Sequence, residues 1–257
     1  MTARTVVVTG SASGIGAAVA AAHTAAGDTV IGIDLKDADL CVDLSTPEGR
    51  SAAVNGVTGR TDAIDVVVAC AGISAPIPLT LRINYFGTVA LLDGLRPLLA
   101  RSAAPRAVAV TSFAATYPPL RRVAEACAAG DEETAIAQAE EAVTRGKEAG
   151  IYSTSKYSLV QWIRRTAVLD EWAGAGITLN GVGPGMVDTP MIREQLEDPE
   201  LRAQIFARVP MPLHGPVAAA QIGTVIGWLS SPENSFVTGQ NLFADGGGDA
   251  VRRPDHV

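Results

Sequence analysis

TGSASGIG, residues 9–16, lies between an apolar β-branched run, Thr5 to Val8, and an alanine-rich run, Ala17 to Ala26. It reads as a phosphate-binding turn that joins a strand to a helix. Gly10, Gly14 and Gly16 lack the Cβ atoms that would keep a pyrophosphate off the backbone, and Ser13 and Ile15 lie between them. The first amides of the following helix then face the anion. High helix propensity and small side chains let Ala17 to Ala26 lie close on a sheet, and Gly27 supplies a stop. Glycines alone also fit an ordinary strand–turn–helix connection.

The next strand favours the binding turn. This second strand, Val30-Ile31-Gly32-Ile33, ends at Asp34, where a dinucleotide-binding unit places the acid that accepts both ribose hydroxyls. That carboxylate repels a 2′-phosphate, and Ser13 and Leu35 stand where a phosphate site wants Arg or Lys. Lys36 is the nearby cation. NAD is therefore expected over NADP.

The 257 residues are 47% hydrophobic and 18% charged, a core-rich balance with no apolar run as long as a membrane span. A single domain over 1–257 is expected. The opening MTAR leads into the first strand without an apolar signal segment, so a cytoplasmic location is expected. A formal charge of −7 disfavours nucleic acid as a partner. Cys41, Cys70 and Cys127 are too scattered for a disulfide framework and read as buried small hydrophobes. His23, His214 and His256 have no ligand spacing, so no metal is expected and each histidine should cap, pack or be solvated.

Further along, Leu40 to Leu44 follows Asp34 too quickly for a crossover helix, and Asp43 either reaches an adenine amino group or belongs to the helix start at Ser45-Thr46-Pro47-Glu48. A helix over 48–59 precedes a buried parallel strand over 64–69, closed by Cys70-Ala71-Gly72. A long helix over about 81–99 carries Asn84 and Gly87, either as a surface Asn or as a bend that exposes a carbonyl. The strand 107–110 ends at Thr111-Ser112, on the edge where ligands bind in such sheets. Residues 117–150 read as two helices split at Gly130-Asp131, with a thin apolar face of Ala135, Ala139, Ala142 and Val143. A helix opening at Tyr152 continues through Ala167. A strand at 177–180 then leads to Gly183-Pro184-Gly185. Residues 191–213 read as an irregular or mobile flap containing Met191, Ile192, Leu196, Ile205, Phe206 and Met211. A helix at 218–229 and a strand at 241–244 finish the sheet.

Tyr152 and Lys156 are four apart on one helix and project from one face. A phenol with an ordinary pKa near 10 is a poor base at neutral pH, and an ammonium one turn away stabilises its anion. The Ser112 hydroxyl can position a carbonyl or alcohol oxygen. The group suits proton transfer on oxygen while NAD moves a hydride at the adjacent carbon, which is alcohol–carbonyl interconversion. Singly, such a Tyr–Lys pair equally fits a surface aromatic lying under a lysine stem.

Taken together, TGSASGIG, Asp34, Asn84 with Gly87, Ser112, Tyr152 with Lys156, and Pro184-Gly185 with Thr189 resemble the short-chain dehydrogenases/reductases across nearly the whole chain. Within that family IGIDLKDADL, DLSTPEGR, INYFG and DGGGDAVRRP are similar to a bacterial hydroxysteroid dehydrogenase/carbonyl reductase branch. The resemblance implies an α/β fold, a doubly wound parallel sheet of Rossmann type. It also implies roles: Tyr152 as general acid/base, Lys156 as its electrostatic partner and ribose ligand, Ser112 on the substrate oxygen, and Asn84 holding a relay water. Asp43 and Leu44 would meet adenine, Cys70-Ala71-Gly72 would flank the cofactor, and Val187 and Thr189 would hold the carboxamide.

Two departures stand out. Cys70 replaces the family's usual Asn, which puts a sheet-bracing hydrogen bond in doubt, and Ser112 and Tyr152 are unusually far apart because of residues 117–150. Those residues are expected to cover a surface that tetrameric relatives pair through, leaving a homodimer built on the C-terminal helix and strand. Phe113, Met186 and Met191 offer an apolar slot with no evident cation, so a hydrophobic secondary alcohol or ketone is expected. A steroid comes first, with a terpenoid or aryl ketone as the alternative. A non-catalytic NAD sensor and a sugar-nucleotide epimerase are the remaining readings. The complete Ser, Tyr, Lys and Asn set counts against the sensor, and the glycine spacing and short C-terminal part count against the epimerase.

Overall fold

The computed structural model describes residues 3–193 and 197–255. Leu196 of the expected flap, the first two residues, and His256 lie outside them. The first half builds β1 (Thr5–Thr9), α1 (Gly14–Ala25), β2 (Thr29–Asp34), β3 (Leu40–Cys41), α2 (Pro47–Thr58) and β4 (Val66–Ala69). After these come α3 (Leu79–Leu81), a π-helical turn (Arg82–Gly87), α4 (Thr88–Leu99), β5 (Arg106–Val110) and a 3₁₀ turn (Phe113–Thr116). The second half contains α5 (Arg121–Ala129), α6 (Glu132–Thr144), α7 (Gly150–Thr166), β6 (Thr178–Pro184) and β7 (Val187–Asp188). It ends with α8 (Pro199–Arg208), β8 (Val217–Ala218), α9 (Ala219–Leu229), β9 (Asn241–Ala244) and α10 (Gly248–Arg252).

Seven strands form one parallel sheet in the order β3-β2-β1-β4-β5-β6-β9, and β7 pairs with β8 separately. The order reverses between β1 and β4, which opens a crevice at their carboxyl ends. Alternation along β1 sends Val7 into the core on one face and Val6 and Val8 into the core on the other. This explains the Val-rich strands: both faces are covered, so apolar side chains dominate, and a buried polar one such as Thr9 or Asn180 is hydrogen-bonded. The first core holds α2, α4 and α7 through Ala53, Leu91, Leu95, Leu159 and Ile163. The second holds α1 and α9 through Val19, Ile222 and Ile226.

The local reasons for each element are visible. Thr46 caps α2, its hydroxyl accepting the Gly49 N–H at 3.0 Å, with Pro47 in the first turn. Asp43 accepts the Ser45 N–H at 2.8 Å, a turn contact that leaves the cap itself to Thr46. Gly130 ends α5 in the left-handed region with φ 72°, and Asp131 then caps α6 through the Thr134 N–H.

Several expectations change. The strand over 64–69 begins at Val66, and β6 runs on through Pro184. The long helix is interrupted by its π turn, with Asn84 wholly buried inside it, so the surface reading of Asn84 fails. The flap contains the regular helix α8, started by Asp198, whose carboxylate accepts the Glu200 and Leu201 N–H groups. Among the residues of the thin apolar face, Ala135, Ala139 and Ala142 are buried, but Val143 is exposed; the helix turns past its packing surface there. Cys41, at the sheet edge, is exposed, whereas Cys127 is buried. His23 packs inside, its Nδ1 2.8 Å from the Asp28 carboxylate, and His214 is exposed.

Helices α5 and α6 lie on the side of the sheet that carries α7 and the π turn. Buried Arg50 reaches across to them, pairing with Glu132 at 2.6 Å, and Arg82 joins the same carboxylate at 2.9 Å. Thr154 on α7 accepts the Leu120 N–H at 2.8 Å, which fixes the chain entering α5 beside the helix that carries Tyr152.

Candidate active site

One cavity of about 940 Å³ runs along the carboxyl ends of β1, β2, β4, β5 and β6. Its first end is lined by Gly10, Ser13, Gly14, Ile15 and Gly16, by Asp34 and Leu35, and by Asp43 and Leu44. Gly10 sits at φ 67°, and a Cβ there would come 2.9 Å from the Ala71 nitrogen. A Cβ on Gly16 would overlap the Gly10 carbonyl oxygen. No other residue closes this turn without moving backbone. Asp34 is held by two amides, Oδ1 accepting from Leu35 at 2.7 Å and Oδ2 from Ala12 at 3.0 Å. The carboxylate is thereby fixed at the rim. Lys36 is not among the residues that line the cavity.

The middle is floored by Cys70, Ala71 and Gly72. This floor is tied to β1, where the buried Thr9 hydroxyl accepts the Cys70 N–H at 3.1 Å and the Ala71 N–H at 3.0 Å. Pro184, Gly185, Val187 and Thr189 line the opposite wall.

The third part brings Ser112, Phe113, Tyr152, Lys156, Met186 and Met191 together on the same cavity. Ser112 begins the 3₁₀ turn, its hydroxyl accepting the Ala114 N–H at 3.0 Å. Lys156 is 5% exposed and donates from Nζ to the Val110 carbonyl at 2.8 Å, so the end of β5 aims the ammonium. Burial lowers its pKa to about 8. The neighbouring Cys70 thiol pulls the other way only when ionised, and burial pushes that thiol up to about 12, so it is neutral near pH 7. Burial raises the Tyr152 phenol above its ordinary value, and a hydrogen bond with Ser112 offsets part of that rise. In the protein alone, Tyr152 is therefore protonated at neutral pH.

Asn84 does not line the cavity. Its side chain holds the backbone of Ile73 at both ends, Oδ1 accepting the N–H and Nδ2 donating to the carbonyl, each at 2.9 Å. Nδ2 also reaches Ser155 Oγ at 3.3 Å. Because Gly72 has no side chain, Asn84 Oδ1 and Lys156 Nζ face one small space: a Cβ there would lie 3.0 Å from the first and 3.6 Å from the second. The π turn that sets this geometry is the bend the sequence allowed for, in a form frequent at functional sites.

Sequence reasoning missed Tyr117 and Arg208, which also line the cavity; Arg208 corrects the expectation that no cation is near the apolar slot. Ile192 and Ile205 of the flap reach the cavity, while Phe206 is not among its lining residues. Met211 packs beneath it, its Sδ accepting the Met186 N–H at 3.3 Å.

A family profile described as enoyl-(acyl carrier protein) reductase matches residues 10–249. The 3-alpha-hydroxysteroid dehydrogenase/carbonyl reductase of Comamonas testosteroni is 36% identical, covering 97% of this chain and 98% of its own. The galactitol 2-dehydrogenase (L-tagatose-forming) of Cereibacter sphaeroides is 33% identical over 93% of this chain and 92% of its own. The crystal structure of the 3-alpha-hydroxysteroid dehydrogenase from Pseudomonas sp. B-0831 complexed with NADH is 42% identical and superposes with a TM-score of 0.91, covering 98% of this chain and 100% of that one.

Proposed function

The chain belongs to the short-chain dehydrogenase/reductase family, and from that membership we propose an NAD(H)-dependent oxidoreductase that interconverts a hydrophobic secondary alcohol and its ketone, with a 3α-hydroxysteroid and 3-ketosteroid as the pair. The observation that carries the reading is the meeting of Ser112, Tyr152 and Lys156 at one end of a cavity whose other end is the glycine turn and Asp34.

The residues present fit a dinucleotide. The glycine turn leaves room for a pyrophosphate against backbone amides, and the fixed Asp34 carboxylate suits a free ribose 2′-hydroxyl. NAD is accordingly preferred to NADP. When bound, the nicotinamide supplies the hydride acceptor or donor. In the oxidising direction Tyr152 first gives up its own proton, and the resulting phenolate, stabilised by the Lys156 ammonium, takes the hydroxyl proton of the alcohol. Ser112 Oγ holds the substrate oxygen beside Tyr152. The gap between Lys156 Nζ and Asn84 Oδ1 gives the proton an inward route, with Asn84 positioning it. Val187 and Thr189, on the cavity wall, would hold the carboxamide.

The far end of the cavity is apolar, through Phe113, Met186, Met191, Ile205 and Val209. With Tyr117 and Arg208 as the polar side chains beside these, a polyol like that of the galactitol dehydrogenase would leave most of its hydroxyls unpaired there, whereas a steroid, a terpenoid alcohol or an aryl ketone would not. NADH formation at 340 nm with NAD and then NADP, against a 3α-hydroxysteroid, a cyclic terpene alcohol and a simple secondary alcohol, tests this. The steroid with NAD is expected to give a kcat/KM at least tenfold above the other pairs. Turnover of the smaller alcohols alone would keep the reaction and overturn the substrate.

We further propose one catalytic unit that acts as a homodimer through α9 and β9. Strand β9 is the sheet edge, and Trp228, Phe236 and Leu242 expose apolar area near it, whereas α5 and α6 lie over the π-turn and α7 side. Light scattering is expected to give twice the chain mass, and Leu242→Asp to give the monomer; a tetramer in either protein would reject this arrangement.

A further inference from the structure

We infer that Tyr117 is a positioning residue that clasps the flap helix and the C-terminal helix together over the substrate end of the cavity. Two segments distant in sequence meet on this side chain, beside the neighbour of Ser112. Its hydroxyl donates to the Arg208 carbonyl at 2.5 Å, at the last residue of α8. The Arg252 guanidinium lies over its ring, 3.7 Å from the centroid, at the last residue of α10. Its edge meets the Phe113 ring at 5.9 Å and 87°, and Phe113 is the neighbour of Ser112.

Local contacts bring both helices to the ring. Helix α10 is anchored at its start by Asp245, which accepts the Gly247 N–H at 3.0 Å and the Asp249 N–H at 2.7 Å. Arg253 is occupied by Asp249 at 2.7 Å, so Arg252 is the arginine turned to the ring. At Gly248 a Cβ would come 2.5 Å from the Pro210 carbonyl and 3.1 Å from the Phe113 ring, so α10 packs directly on the flap's exit and on the Ser112 wall. Helix α8 has no buried residue of its own. Few apolar contacts hold it down, so a hydrogen bond at its C-terminal end governs how it sits. A cation over a ring adds a contact that neither helix makes alone.

The kinetic consequence rests on the alcohol–ketone reading; the structural consequence does not. Loosening the clasp should free α8 and weaken the hold on substrate without touching the proton-transfer groups. The test uses the full chain with three variants: Tyr117→Phe, Arg252→Leu and Arg252→Lys. With trypsin, cleavage after Arg202 and Arg208 is expected to speed up about fivefold in Tyr117→Phe and Arg252→Leu. Arg252→Lys should stay near the parent protein, and cleavage after Arg145 should stay constant in all. With the steroid alcohol, KM should rise about three- to tenfold in the first two variants while kcat stays level or rises. Flap cleavage unchanged in both Tyr117→Phe and Arg252→Leu, with melting midpoints showing both folded, would overturn the clasp. A fall in kcat at constant KM would also overturn it, because Tyr117 would then act on the chemistry. If no alcohol is oxidised at all, the reaction assignment fails, and the cleavage ratio still decides the clasp.

Discussion

Tyr152→Phe is expected to lower kcat by about two to four orders of magnitude, while NADH binds within about twofold of its parent affinity. The substitution removes one oxygen from a ring whose position is set by its helix. Helix α7 is pinned through Thr154 to the chain before α5 and through Ile151, Leu159 and Ile163 to the core. Ser155, one turn along, donates to the Tyr152 carbonyl at 2.7 Å and touches Asn84, so the local backbone has supports that do not involve the phenol. The contacts proposed for the dinucleotide lie mostly on the glycine turn and Asp34, which line the opposite end of the cavity. NADH fluorescence titration and steady-state turnover separate the two effects. A rate within tenfold of the parent, with NADH still bound, would move the acid/base role off Tyr152. Loss of turnover together with loss of NADH binding would mean that the ring is a cofactor wall.

How much of the molecule was legible in the sequence depends on whether a feature is local. The turn at 9–16 was readable because glycine is demanded there by backbone proximity alone, and Asp34 because a strand of fixed length ends at it. The parallel sheet was readable from Val-rich runs that only a doubly covered strand can carry. Tyr152 and Lys156 were readable because a helix fixes their relation. Asn84 was harder: its burial and its grip on Ile73 depend on a π turn that no residue pattern announces. Helix α8 looked irregular because its apolar spacing, Leu201 and Ile205, is only two residues long and buries nothing. Tyr117 was invisible for a similar reason, since its partners, Arg208 and Arg252, come from segments 91 and 135 positions away. The tie from Thr9 to the Cys70 and Ala71 amides likewise joins β1 to the end of β4, residues 61 and 62 positions apart.

The second large effect combines activity with stability, because Lys156 is a buried ammonium with no carboxylate paired to it among the described residues. Lys156→Met is expected to reduce kcat/KM by roughly three orders of magnitude, since in the proposed mechanism the phenolate loses its counter-charge and the cofactor ribose a donor. Stability should move the opposite way. The folded-state pKa is lowered from 10.5 to about 8, so the unfolded chain binds the proton more tightly than the native one. Between those values stability rises with pH; below about 8 the full cost of burying the charge is present. By the standard conversion that cost is roughly 3 kcal/mol, against about 1.5 kcal/mol for the lost hydrogen bond to the Val110 carbonyl. Without cofactor at pH 7, Lys156→Met should therefore melt a few degrees above the parent protein. That advantage should shrink steadily as pH rises from about 8 towards 10, because the parent lysine is then buried neutral. Adding NADH at pH 7 should narrow the gap as well, by restoring a partner only to the lysine. A variant that melts below the parent at pH 7, or a difference that ignores pH, would show that the ammonium is a net support of the fold; its strain could then no longer be counted as the cost of a poised acid/base pair.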